Sequence, residues 1–176
     1  MSDIREIVTK AVIGKGKKKF HLVSALSPEF EPNSILGCWL INHKFMAKKA
    51  ENSVEVMGSY DVNVWYSYDN NTKTNVVVNT IDYHDIVTVT RIIRDCLYEG
   101  DEIIARTIQQ PTCLDARIEE GVIIVEVEFE LIVEIIGETK MRVSILGPVL
   151  DDEEEDDEFD DELNSIDTNF LKNTPF

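Results

Sequence analysis

From Val125 to Ile135 apolar and charged residues alternate one by one: Val125, Val127, Phe129, Leu131, Val133 and Ile135 fall on one side, and Glu126, Glu128, Glu130, Ile132 and Glu134 on the other. A strand points successive side chains to opposite faces, so this segment buries one face and wets the other. Wound as a helix, the same residues scatter glutamate around the whole circumference. The period of two recurs along the chain, with β-branched residues between turn-forming clusters, and helical periodicity is weak throughout. Asp61 to Tyr68 runs into Asp69-Asn70-Asn71-Thr72 and leaves through Lys73 to Val78. Asn and Asp tolerate the left-handed backbone of tight turns, so this is a hairpin. Further strands are expected at Ile4 to Ile13, Phe20 to Leu26, Ser34 to Lys44, Ser53 to Tyr60, Ile81 to Ile92, Ile103 to Gln109, Asp115 to Ile118 and Met141 to Ile145, the last after a turn or bulge at Gly137-Glu138-Thr139.

Turn signals about every ten residues and the alternating pattern predict an all-β fold, an antiparallel β-sandwich. The sandwich body is expected over residues 1–148. Residues 149–176 read as a disordered acidic C-terminal tail: Asp151 to Glu162 is acidic at every position except Phe159, and so dense a block of like charge cannot collapse on itself. The apolar residues return in Leu163, Ile166, Phe170, Leu171 and Phe176, enough for a short docking motif but not for a core.

Charge sharpens this division. The net charge of −17 is concentrated at the C-terminus, where residues 151–176 carry twelve of the 34 acids and one base, Lys172. The body is only mildly acidic. Nucleic acid is excluded as a partner, because phosphate binding needs a basic face that releases counterions. Basic proteins are favoured. Residues Met1 to Glu6 are polar and no run reaches the roughly 18 apolar residues of a membrane span, so membrane insertion is not expected and the chain is placed in the cytosol. Cys38, Cys96 and Cys113 contain no C-x-x-C pair; reduced thiols suit them better than a disulfide framework or a zinc site, although cross-linking between chains stays open.

No catalytic constellation emerges. His21, His43 and His84 are scattered, no serine lies in G-x-S-x-G, and Cys38 and His43 are near only in sequence. Neither an enzyme nor a cofactor is expected. Gly14-Lys15-Gly16-Lys17-Lys18-Lys19 lacks the spacing of a phosphate loop and reads as a solvated turn; the sharper alternative is that Lys17, Lys18 and Lys19 meet the acidic tail of a neighbouring subunit. Tyr60, Trp65, Tyr66 and Tyr68 are candidate partner contacts, Trp65 on one face of its strand and Tyr66 and Tyr68 on the other, so that one set is core and the other anchors a partner; the alternative is that the sandwich covers both. An edge strand over Glu126 to Glu134 is a further place for another chain to pair. In the tail, Asp156, Asp157, Phe159 and Phe170 are the candidates for capturing basic clients by multivalent contact, against a purely solubilising role. Diffuse binding of counterions suits the acidic block better than a built calcium site.

Particular segments carry a resemblance: Arg5-Glu6-Ile7-Val8-Thr9-Lys10-Ala11-Val12, Ser34-Ile35-Leu36-Gly37 with Trp39 and Ile41-Asn42-His43-Lys44, Tyr60 to Tyr68, Gln109-Gln110-Pro111, Cys113-Leu114 and Gly137-Glu138-Thr139-Lys140, followed by the acidic end. In this order they resemble the CotE family of spore coat morphogenetic proteins, the outer spore coat protein E family. The resemblance implies a scaffold without enzymatic activity, made in the mother-cell cytoplasm of an endospore former. Such a scaffold self-associates around the developing spore, docks on the coat basement layer through its assembly ATPase, and recruits outer coat proteins and, in some relatives, the exosporium. The rival reading is a soluble acidic-tailed chaperone or binding module for basic proteins.

Overall fold

The computed structural model describes residues 3–51, 53–91 and 100–145. The chain divides into a body, Glu6–Arg142, and a second unit made of Met1–Arg5 with Val143–Phe176. The acidic tail and its candidates Asp156, Asp157, Phe159 and Phe170 lie outside the described residues.

The described residues form seven strands and no helix: β1 Asp3–Leu26, β2 Ser34–Ala50, β3 Ser53–Tyr68, β4 Lys73–Thr88, β5 Thr90–Arg91, β6 Glu102–Glu119 and β7 Val122–Ile145. They build two antiparallel sheets, one ordered β5-β1-β7-β6 and one ordered β2-β3-β4. The expected all-β sandwich is therefore the fold. The β3–β4 hairpin turns through Asp69, Asn70 and Asn71, each with φ between 52° and 62°, as the cluster of Asn and Asp demands. Asn71 Oδ1 accepts from Ser67 Oγ at 2.6 Å and Ser34 Oγ at 3.0 Å, which ties the turn to the start of β2. The β6–β7 hairpin, not foreseen, turns on Glu120 and Gly121, both at positive φ. That is the backbone pattern of a two-residue turn matched to strand twist, and glycine adopts it without a Cβ penalty.

Strands are longer than the alternation alone suggested, because neighbouring sheet carries them through segments of weak propensity. Gly14 to Lys19 is not a turn but the middle of β1. Gly14 and Gly16 face inward, where a Cβ on Gly16 would run into the Thr88 carbonyl and one on Gly14 would sit 2.8 Å from Val89 Cγ1; the missing side chains let the crossing from β4 to β5 approach β1 closely. Gly137 to Thr139 likewise continues β7. Pro111 stays within β6, flanked by register shifts between Thr107 and Asp115, on an outer strand where its missing N–H costs no ladder bond. The segment Glu126 to Glu134, expected as an edge, is central: β7 lies between β1 and β6.

The two sheets meet over one core. From β7 come Ile123, Val125, Val127, Phe129, Leu131, Val133 and Ile135; from β3 come Val54, Val56, Tyr60, Val62, Val64 and Tyr66. At its centre Phe129 stacks on Phe20, with centroids 4.6 Å apart and planes at 4°, and meets Tyr83 at 4.8 Å and His43 at 5.1 Å. Every inward residue of Val125 to Ile135 is at most 1% exposed, as the strict alternation requires.

Candidate interaction surfaces

The outward face of the four-stranded sheet is a ladder of opposite charge. Lys15, Lys17 and Lys19 of β1 reach Glu134, Glu130 and Glu128 of β7 at 3.2, 3.1 and 3.0 Å, and His21 Nε2 lies 3.6 Å from Glu126. From the other flank Arg106 pairs with Glu134 and Arg117 with Glu126. Lys15 beside Glu134 holds that carboxyl below the usual range, helped by Arg106. Each outward glutamate thus meets a basic side chain of β1, and Glu126 and Glu134 meet an arginine of β6 as well; opposite charges stabilise such cross-strand pairs. Lys18 has the opposite parity and reaches across to Asp85 of β4 at 2.7 Å and to the Ile86 carbonyl at 3.2 Å, which lowers the Asp85 carboxyl. The lysines are engaged within their own chain.

Strand β3 separates the aromatic candidates. Tyr60 and Tyr66 point inward at 1% and 0% exposure, so they are core residues rather than partner contacts; burial pushes the Tyr60 hydroxyl up to about 12. Tyr68 is half-buried, stacked on Phe30 at 4.3 Å, with Lys73 Nζ 5.9 Å from its ring centre. Trp65 faces outward and is 44% exposed. Sheet register then supplies a residue that reasoning along one strand missed. Gly37 of β2 lies opposite Trp65 and Trp39 opposite Asn63, while Val76 and Val78 of β4 flank them on the other side. The Trp39 ring covers Gly37, where a Cβ would come 2.5 Å from Cη2. Trp39 is 55% exposed, and Ile41 and Val78 stand in water beside it. The result is an apolar ridge across three strands.

Further along the same face the surface sinks. A β-bulge between Ile41 and Lys44 places Asn42 at φ 55°; Asn42 donates to Asp61 at 2.7 Å, Thr80 donates to the same carboxylate at 2.7 Å, and together they lower its pKa. The bulge turns His43 inward, where Nε2 meets the Tyr83 hydroxyl at 2.8 Å. Beyond it lies an open groove of about 710 Å³ lined by Lys44, Met46, Met57, Asp82 and His84. His84 is tied to Glu55 at 2.6 Å.

None of this assembles a reaction centre. Burial lowers the His43 pKa, so its imidazole stays neutral among the rings around it. Cys38 of β2 lies beside Cys113 of β6, and burial first, then that thiol, push its pKa up; a protonated thiol is a poor nucleophile. Among the described residues no group of three or more His, Cys, Asp or Glu is placed to hold a metal ion, and no helix is long and apolar enough to cross a membrane.

No curated protein and no solved structure matches the chain. A model of the family described as outer spore coat protein E (CotE) matches residues 3–173. With nearly its whole length matched, the chain belongs to the outer spore coat protein E family, structural proteins of the outer layer of the spore coat.

Proposed function

We propose that this chain is a non-enzymatic morphogenetic scaffold that self-associates through its β-body around the developing spore, starting in the mother-cell cytoplasm, and recruits outer coat and exosporium proteins through its acidic tail. The observation that carries the reading is the outward face of β2-β3-β4, which leaves Trp39, Ile41, Trp65 and Val78 in water. Clustered apolar residues of this kind mark interaction sites on soluble proteins. The polyanionic stretch Asp151 to Glu162 adds a dense run of carboxylates suited to basic partners; the assembly ATPase of the basement layer and the outer coat proteins are the partners this reading names.

Light scattering on the full chain and on a chain ended at Pro148 tests the reading. A scaffold gives large, concentration-dependent assemblies in both, with capture of outer coat proteins lost on truncation. An acidic-tailed chaperone gives a small closed oligomer instead, and a full chain that stays monomeric at high concentration refutes self-association.

A further inference from the structure

The ridge and the groove occupy opposite ends of one face. Across the outward surface of β2-β3-β4 the pairing sets consecutive rows: Gly37-Trp65-Val76, Trp39-Asn63-Val78, Ile41-Asp61-Thr80, Lys44-Ser59-Asp82, Met46-Met57-His84 and Lys48-Glu55-Ile86. The first two rows stand proud of the sheet on two indoles, and the groove opens around the fifth. Surface with these properties is what an isologous contact requires, because a two-fold axis lays one patch on a copy of itself and each part must find its complement elsewhere on the same patch.

We propose that this face joins two copies of the chain, the Trp39 row of each filling the Met46–Met57 groove of the other and Trp65 covering Glu55 at its rim, about a two-fold axis that crosses the strands near Tyr60. This deepens the scaffold reading and rests on it. The operation turns the order of rows end for end. Trp39 falls over Met46, Val78 over His84, Ile41 over Lys44 and Thr80 over Asp82, while Lys48 and Glu55 come over Gly37 and Trp65. No like charges are opposed, and Lys44 of one copy lies diagonal to Asp61 of the other. A lone protomer cannot make these contacts, because its own ridge and groove point the same way.

The extent of the face sets the strength. Ten steps from Glu55 to Trp65 at about 3.4 Å each, over three strands about 4.8 Å apart, give roughly 500 Å² of flat sheet per copy. Two copies together bury about 1,000 Å², at the threshold of a specific interface. The contact is therefore reversible in dilute solution. A two-fold contact also closes on itself and makes pairs, so growth into a layer uses other surfaces as well.

The chain's only two tryptophans are Trp39 and Trp65, so indole fluorescence reports on this face alone. The full-length protein is diluted through its association range while mass is followed by light scattering and indole exposure by acrylamide quenching. Pairing through this face shifts emission to shorter wavelength and lowers the quenching constant at least about twofold as half-exposed rings leave water, over the same concentrations in which mass first doubles. Met46→Glu, an exposed groove position that leaves both reporters in place, keeps the indoles quenchable and blocks the doubling, with far-UV circular dichroism unchanged; Val78→Glu does the same from the ridge. Assemblies that form while the indoles stay fully quenchable, or charged variants that behave like wild type, overturn the assignment of this face and leave the scaffold reading standing. A wild-type chain that never gains mass overturns both.

Discussion

Gly58 sits inward on β3 between β2 and β4, opposite Phe45 on one side and Tyr83 on the other. A Cβ there would collide with the Lys44 carbonyl oxygen and lie 2.6 Å from the Tyr83 hydroxyl and 2.7 Å from its Cζ. Neither neighbour yields easily. The carbonyl belongs to a strand held in register, and the Tyr83 ring is packed against Phe129 at 4.8 Å and Phe20 at 5.4 Å. Overpacking a core by one methyl costs about 1–3 kcal/mol. Moving Tyr83 aside also breaks its hydrogen bond to His43 Nε2, and leaving a buried polar atom unpaired costs about 1–3 kcal/mol more. Gly58→Ala is therefore expected to cost about 3 kcal/mol, a large share of the roughly 5–15 kcal/mol that holds a domain together. Urea unfolding below the association range measures it as a shift in midpoint at constant slope. Gly100→Ala, at a site with nothing within 4 Å, serves as the control and stays within about 0.5 kcal/mol of wild type. Tyr83→Phe removes the hydroxyl that meets the new methyl, so the double variant loses less than the sum of the singles by at least about 0.5 kcal/mol. A cost for Gly58→Ala under about 1 kcal/mol, or strict additivity with Tyr83→Phe, refutes this packing.

Two further outcomes follow from the same geometry. His43 is held neutral by burial, so the folded chain binds its proton less readily than the unfolded chain does; this contribution to stability is complete above the ordinary histidine pKa of about 6.5 and is lost as pH falls below it toward the lowered folded value. Unfolding midpoints of wild type and His43→Gln between pH 7.5 and 5 check this, the variant showing the flatter profile. Lys17→Glu with Lys19→Glu places acid opposite Glu130 and Glu128 and is expected to cost a few tenths to about 1 kcal/mol per site, recovered in part by salt because these lysines are exposed; an unchanged midpoint at low ionic strength refutes the ladder.

Alternation by itself determined most of the fold. The strict period of two in Val125 to Ile135 required a strand buried on one face, and the Asp69-Asn70-Asn71 cluster required a tight turn, because both are properties of single residues and their immediate neighbours. The family was also readable from residues in order. Register, and which strands lie inside a sheet, were not, since these depend on partners distant in the chain. Gly14 to Lys19 has the composition of a solvated turn, yet it is strand because the β4–β5 crossing needs its two bare glycines and β7 offers a glutamate to each outward lysine. Whether Tyr60 and Tyr66 are core or contact stays open along their own strand, and the second sheet covers them. Trp39 joined Trp65 only when β2 was laid beside β3. Sequence fixes which way each side chain points along its own strand; only the pairing of strands decides which side chains share a surface, and whether a second layer shields it from water.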